Sequence, residues 1–474
     1  MLFLGVDVGT SGIRALVIDD AGTIRAQARA ALPEVQGENG WREQDPQCWL
    51  DALEDCMSGL RQQLGPDMQS IEALALDGTS ATLVVTDQSG QPLRPALMYN
   101  DQRATVEARE IAQTLPASGA LASPSSSLAK LLWLSRHEAH LRQQIVHVQH
   151  QADWIAATLT GCRGESDAGN LLKLGLDPEA LDWPTEVRNL IEAAGMNPAI
   201  LPRARASGEI MAQIRADWAR RLGLPASLQI VHGSTDSLAA LIAAGVQQTG
   251  QAATSLGSTL VLKLAAEQPI NQPAVGIYSH RLNALWLPGG ASNSGGAALL
   301  KHFSVAEMAR LTSSIQPDHP SGQLCYPLPR PGERFPLNAP SFSGSEIAET
   351  NPSKRFQMLL EGLCYIEAWG YARLQEGGTA MREVFSLGGG ASNGPWMQMR
   401  ANVLDRAVIV PHCAEAALGA AMLAASPAFG TLEQAQSALN QPSQSFIPEP
   451  AAVARFRPSS LAFINRFTGD TSAG

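Results

Sequence analysis

Two short apolar runs open the chain, residues 2–8 (LFLGVDV) and 13–18 (IRALVI), and between them lies a cluster of small residues, Gly9-Thr10-Ser11-Gly12. A strand interior gains nothing from glycine, so this cluster is either a hairpin turn or a cradle in which a ligand approaches the backbone. Asp19 to Gly22 make a second turn before the stretch that starts at Thr23, and together these runs predict an antiparallel meander. The pattern then changes period. In EQDPQCWLDALEDCMSGLRQQLG (43–65), Trp49, Leu53, Cys56, Leu60 and Leu64 recur on one helical face. Asp45 is placed to cap that helix, Pro46 to begin it and Gly65 to end it. SIEALALDGTS (70–80) predicts a strand ending in a turn, and TLVVTDQSGQPL (82–93) a hairpin around Ser89-Gly90. Strands first, then strand and helix in alternation, predict an α/β domain with a mixed sheet.

The middle of the chain repeats the opening. IVHGSTDSLAALIAAG (230–245) predicts a strand, a polar turn and an alanine-rich helix, and ATSLGSTLVLKLAA (253–266) follows it. Aligned on the turn, Val6-Asp7-Val8-Gly9-Thr10 matches Thr254-Ser255-Leu256-Gly257-Ser258. The chain therefore reads as a distant duplication of one strand-turn-strand unit, with a boundary near residues 243–250 and two halves facing each other across a cleft. Residues 317–344 are rich in Pro and Gly and predict an irregular surface excursion. A strand EVFSL (383–387) runs into GGGASNGPW and then a helical WMQMRANVL, and the tail carries a short helical pattern in SSLAFINRF (459–467) before a polar end.

Composition narrows the chemistry. With 474 residues, 16% of them charged, and a formal net charge of -10, the chain has room for two large domains. It offers no basic field for nucleic acid or anionic lipid, and small-molecule chemistry is the better expectation. Cys48, Cys56, Cys162, Cys325, Cys364 and Cys413 are scattered without a C-x-x-C pair, as expected of free thiols in a reducing compartment. The N-terminus has no basic region ahead of its apolar run, and no apolar run reaches about 18 residues, so a soluble cytoplasmic protein is expected. Consecutive N–H groups in a glycine turn, helped by Thr or Ser hydroxyls, suit phosphate oxygens, and two such turns suit a polyphosphate. Asp7 can hold Mg2+ directly or through water, whereas Ser255 stands at the matching place in the second turn. The usual P-loop is excluded, because all five lysines follow Ala, Leu or Ser.

These pieces resemble the FGGY carbohydrate kinases over nearly the whole chain. The matching segments are GVDVGTSGIRALVID, GWREQDPQCW, LALDGTSAT, MYNDQR, SSLAKLLWLSRH, HGSTDSLAALIAAG, TSLGSTLVL, GGASNSGGAALLK and LGGGASNGPWMQMRANVL, in that order. The forms LALDGTSAT and GGASNSGG, with the length, are most similar to the D-ribulose kinase branch. Xylulose kinases tend to carry glutamine-methionine-histidine where this chain has Asp77-Gly78-Thr79-Ser80. The resemblance implies an α/β, duplicated ribonuclease-H-like fold of the actin and hexokinase type, with two domains flanking a catalytic cleft. Residues 1–244 would form the sugar-binding domain and 245–451 the nucleotide-binding domain, with a C-terminal helix in 452–474 packing back on the first. The implied partners are ATP, Mg2+ and a small sugar, with a homodimer possible and neither nucleic acid nor membrane involved.

The resemblance also implies roles. Asp236 would be the general base that takes the proton from the sugar hydroxyl, although a helix N-cap before SLAALIAAG explains it equally well on the bare sequence. Asp7 would be the carboxylate on the Mg2+ and sugar side, with strand-end capping as its plainer role. Gly9, Thr10 and Ser11 would meet phosphate. Ser80 would contact a sugar hydroxyl or simply serve a turn. Asn100 and Asp101 either line the same pocket or cap a turn. Gly257, Ser258 and Thr259 would hold the β and γ phosphates, Asn293 would reach the γ phosphate, and Gly389, Gly390, Asn393 and Trp396 would hold adenosine, the tryptophan offering a flat face. LAKLLWL resembles a family signature, but Leu131, Leu132 and Leu134 sit at helical spacing and are expected in the core. The expected reaction is transfer of the γ-phosphate of ATP to the 5-hydroxyl of a pentulose, D-ribulose foremost, with D-xylulose or a pentitol as alternatives. A reading of another class is an actin- or chaperone-like ATPase acting on a protein partner, which predicts partner-dependent turnover and no need for Asp236.

Overall fold

The computed structural model describes residues 1–115, 119–441 and 443–469, which fall into two compact units. The first comprises Met1–Gly245, Arg281–Asn283 and Cys413–Gln441; the second comprises Val246–His280, Ala284–His412 and the described residues after Gln441. No helix among the described residues is long and apolar enough to cross a membrane.

The first unit is built on β1 (Leu2–Val8), β2 (Gly12–Asp19), β3 (Ile24–Ala31), β4 (Ile71–Gly78), β5 (Ile210–Gln213) and β6 (Gln229–Thr235), ordered β5-β6-β4-β1-β2-β3. The expected meander is there: β1, β2 and β3 run antiparallel, and β1 then pairs parallel with β4, and β4 with β6. The second sheet comprises β7 (Gln251–Leu256), β8 (Leu260–Leu264), β9 (Tyr278–Leu282), β10 (Leu285–Ser292), β11 (Glu383–Leu387), β12 (Ala407–Val410) and β13 (Gln444–Phe446), ordered β9-β10-β8-β7-β11-β12-β13. Its core repeats the first: β10, β8 and β7 are antiparallel, and β7, β11 and β12 are parallel. The duplication read from the two glycine turns is thus a duplication of sheet topology, and the fold is a mixed α/β, two-domain fold of the ribonuclease-H-like ATPase type.

Helix α1 (Gln47–Leu64) buries Trp49, Leu53, Cys56, Leu60 and Leu64 against β2 and β3, as its periodicity predicts. It begins one residue later than expected. Pro46 takes the N-cap place, and Asp45 Oδ1 accepts from the Gln47 amide at 3.0 Å. Helix α2 (Ser127–His137) is capped by Ser126. Helix α3 (Asp236–Ala244) follows β6 directly, so the expected polar turn is instead the end of the strand, where pairing with β4 shifts register between Val231 and Ser234.

Three other expectations are corrected. The C-terminal helix Pro450–Gly469 packs on α4 (Pro352–Gln375) and α5 (Gly394–Leu404) in the second unit, not on the first. Phe456, Phe463 and Phe467 on that helix are buried, and Phe463 stacks on Tyr326 with ring centroids 5.6 Å apart; an apolar stripe of this size goes where aromatic partners are. Residues 470–474 lie outside the described residues. The Pro/Gly-rich stretch 317–344 is irregular but not superficial: Cys325, Tyr326, Leu328, Phe335 and Leu337 are core residues. Finally, the late segment Cys413–Gln441 completes the first unit. Its helix Ala416–Phe429 crosses β1 and α3 at a distance only glycine allows. A Cβ on Gly5 would lie 1.9 Å from the Ala417 carbonyl oxygen, and one on Gly419 would lie 1.8 Å from that of Ala239.

Candidate active site

In the first unit the strands end together. The Gly9-to-Gly12 turn is a tight hairpin closed by Gly9 N–H donating to Gly12 O (3.0 Å), and a Cβ on Gly12 would come within 2.8 Å of Ala30 O. Gly9 and Thr10 also line an open depression of about 590 Å3. Asp7, Arg14, Arg29, Thr79, Tyr99, Asp236, Ser237 and Glu415 share its walls.

Strand register explains the assembly. Asp7 lies opposite Arg14 on β2 and opposite Asp77 on β4, and Asp77 in turn lies opposite Ser234 on β6, two residues before Asp236. Arg14 Nη1 donates to Asp7 Oδ2 at 2.8 Å. Asp77 is fully buried, and no donor among the described residues reaches either of its oxygens. Burial, then the charges of Asp7 and Asp236, push its carboxyl well above the usual carboxylate range. Asp236 is the first residue of α3, where its Oδ1 accepts from the Ser237 amide at 2.6 Å; Thr235, not Asp236, occupies the N-cap place.

The sugar-side candidates divide. Thr79 is held by Gln151, whose Oε1 accepts from the Thr79 amide (3.1 Å) and hydroxyl (2.8 Å), and its hydroxyl also meets that of Thr82 at 2.6 Å. Next to it, the Ser80 hydroxyl is buried and finds no partner among the described residues. Such an atom costs stability unless a ligand satisfies it. Asp101 does not face the depression. It is fully buried, and its carboxylate accepts from the Arg42 amide (2.6 Å) and from Arg103 Nη2 (2.8 Å), so it organises the turn after Met98. Asn100 is exposed and is not among the lining residues, whereas its neighbour Tyr99 is.

In the second unit the matching hairpin loop is Gly257-Ser258-Thr259. Gly257 O and Ser258 O accept from the amides of Gly296 (2.8 Å) and Ala297 (3.1 Å), and a Cβ on Gly295 would lie 2.7 Å from Ser258 O. The Gly-Gly pair of SNSGG therefore lets a short helix abut the loop. Gly257, Gly389, Gly390, Asn393 and Trp396 line a cavity of about 470 Å3 with largely apolar walls that include Leu299, Met308 and Phe356. Two of these residues are committed differently from expectation. Asn393 caps α5, accepting from the Trp396 amide at 3.1 Å, and the Trp396 ring is buried under Gly390 with its N–H on Cys364 Sγ (3.3 Å) rather than open as a flat face. Asn293 donates to Gly332 O (2.9 Å) and receives the Glu333 carboxylate on its amide (2.7 Å).

Sequence reasoning missed Asp77, Arg14, Arg29, Tyr99 and Glu415. Arg14 was within reach, since the turn length fixes its register against Asp7. Below β7 lies a buried network that no local pattern announces, in which Glu367 Oε1 accepts from Thr254 Oγ1 (2.5 Å) and Arg400 Nη2 (2.6 Å).

Comparison with known proteins agrees with this geometry. The FGGY family of carbohydrate kinases matches with its N-terminal domain over residues 2–243 and with its C-terminal domain over residues 252–428. The xylulose kinase of Escherichia coli (strain K12) is 27% identical over 482 residues, covering 98% of each chain. That of Streptomyces rubiginosus is 28% identical over 437 residues, 90% of this chain and 87% of the other. Among solved structures, a xyloylose kinase from Brucella ovis superposes with a TM-score of 0.90 at 25% identity over the whole of both chains. The xylulose kinase from Rhodospirillum rubrum gives 0.85 at 23% identity over 99% of each, a likeness of fold. With both domains matched, the chain belongs to the FGGY family of carbohydrate kinases.

Proposed function

We propose that the protein transfers the γ-phosphate of ATP to the 5-hydroxyl of a pentulose, D-ribulose foremost. The observation that carries this reading is the depression on whose walls Asp7, Asp236, Thr79 and Tyr99 meet, with the Ser80 hydroxyl, which finds no partner among the described residues, next to Thr79 in the chain: donors and acceptors gather where a polyhydroxylated molecule would satisfy them. Phosphoryl transfer passes through a loose transition state, so the protein mainly positions the hydroxyl and balances charge. Asp236, at the head of α3, accepts the hydroxyl proton late in the transfer. Ser80 donates to a second sugar hydroxyl, and Thr79 and Tyr99 shape the wall. Gly9, Thr10 and Ser11, together with Gly257, Ser258 and Thr259, supply backbone and hydroxyl donors to phosphate oxygens. The cavity at Gly389 and Gly390 takes the base.

The residues present fit Mg2+ carried chiefly by phosphate: Asp7 offers a carboxylate on the wall of the depression, and no group of three or more ligating side chains among the described residues would hold an ion by itself. Asp7 would hold the ion, directly or through water. Bound with ATP, Mg2+ neutralises charge on the phosphate oxygens.

D-Xylulose is the second reading, favoured by the similarity to xylulose kinases. The segment Asp77-Gly78-Thr79-Ser80 favours D-ribulose. Mg-ATP consumption by the purified protein, coupled to ADP detection, is to be measured with D-ribulose, D-xylulose, L-ribulose, ribitol, glycerol and no sugar. A large rate with D-ribulose is expected. A larger rate with D-xylulose would replace the substrate, and turnover indifferent to every sugar would replace the reading with a partner-driven ATPase.

A further inference from the structure

Lys130 lies in the apolar stripe of α2 and is fully buried. An ammonium in such a place must find acceptors for its three N–H groups. Three carbonyl oxygens meet it: those of Ala81, Leu97 (3.3 Å) and Met98 (3.0 Å). These carbonyls belong to two separate segments, the loop at Ala81 and the end of a short strand at Leu97 with the turn that follows it. One follows Ser80 and holds Ala81 at φ 74°, a conformation unusual for a residue with a side chain. The other leads into Tyr99 and the Asp101 turn. A second tie joins the same segments, because Thr82 Oγ1 accepts from the Tyr99 amide at 3.0 Å.

We propose that Lys130 is the positioning residue of the sugar side of the site, its ammonium clamping together the loop that presents Thr79 and Ser80 and the loop that presents Tyr99. This inference rests on the proposal that these loops hold the sugar. Lys130 touches neither phosphate loop residue nor Asp236 in its hydrogen bonds, so it should act on sugar affinity and leave the nucleotide alone. Burial pulls its pKa down to about 7, with Asp101 opposing and Lys173 and Arg103 adding to the fall. A cation under that pressure is retained where its hydrogen bonds specify a geometry.

The test compares wild type with Lys130→Met, which keeps the length of the side chain, and with Lys130→Ala. Lys130→Met should raise the pentulose KM about 10- to 10²-fold, while the Mg-ATP KM stays within about two-fold. Added n-propylammonium, which replaces the deleted atoms, should restore the pentulose KM of Lys130→Ala, and 1-propanol should not. Amide hydrogen exchange should accelerate at residues 79–82 and 98–101 and not at 9–12. An unchanged pentulose KM, an equal change in both KM values, a loss in kcat alone, or equal rescue by the alcohol would overturn the proposal. If Lys130→Met does not fold, the amine rescue of Lys130→Ala decides. If wild type phosphorylates no pentulose, the functional reading has failed by itself. The exchange experiment then decides the clamp: acceleration confined to the two loops supports it, and none, or acceleration throughout the first unit, refutes it.

Discussion

Asp7 and Asp77 stand in register on adjacent parallel strands, so two carboxyl groups meet at the ends of β1 and β4 with Asp236 close by. A fold assembled for stability alone would not gather three like-charged groups there, since each raises the cost of ionising the others. Arg14, in register with Asp7 from the other side, offsets part of that charge. The arrangement is an acceptor-rich surface of the kind the proposed sugar site requires.

The proposed general-base role makes Asp236 the most sensitive position. Asp236→Asn is expected to lower sugar phosphorylation by about 10²- to 10⁴-fold with nucleotide binding nearly intact, read by steady-state kinetics and nucleotide titration. Near-normal phosphorylation would remove the assignment.

Gly419 sits so close to Ala239 O that a methyl group has no room. Gly419→Ala should overpack the crossing of helix Ala416–Phe429 over α3 and destabilise by about 1–3 kcal/mol, seen as a lower denaturant midpoint. An unchanged midpoint would mean that the helices part without cost.

Arg400 and Glu367 form a fully buried ion pair below β7, sharing Thr254. Arg400→Met strands a buried carboxylate and should cost about 3–5 kcal/mol, whereas Arg400→Met combined with Glu367→Leu should recover most of the loss. A double variant as weak as the single one would show that packing, not charge, is at stake.

Asp167 supplies the pH dependence. It is buried, caps the amides of Gly169 and Asn170, and burial followed by Asp153 raises its pKa to about 7. The unfolded value is near 3.9, so the folded chain keeps a proton that the unfolded chain releases. The stability this gives is complete below about pH 4 and is lost as pH rises through about 7. Wild type should therefore lose thermal stability relative to Asp167→Asn between about pH 4 and about pH 7. Parallel curves for the two proteins would contradict the raised pKa.

The parts of the site legible in the sequence are those set by local pattern. Both glycine hairpins, α1 and the strand before GGG follow from spacing and turn chemistry, and the two hairpins together reveal the repeated topology. What stayed hidden depends on contacts between distant segments. Asp77 reaches Asp7 only through parallel pairing, which no local pattern fixes. Lys130 stands beside Leu131, Leu132 and Leu134, whose helical spacing predicts core, and is buried with them; its acceptors come from segments far along the chain. Asp101 and Asn393 carry the polar side chains expected of a pocket, yet nearby backbone and arginine groups use them first. The C-terminal helix was assigned to the first unit, but its phenylalanines are matched by aromatic partners in the second.

The helix Ala416–Phe429 also governs the order in which the chain can mature during synthesis. The face of β1 carrying Gly5 is laid down within the first few residues, and the helix that covers it arrives only after the second sheet has been translated. The nascent first unit must therefore wait with that face uncovered, and a chain halted before Cys413 would carry a complete Gly9-to-Gly12 hairpin on a body whose core stays open.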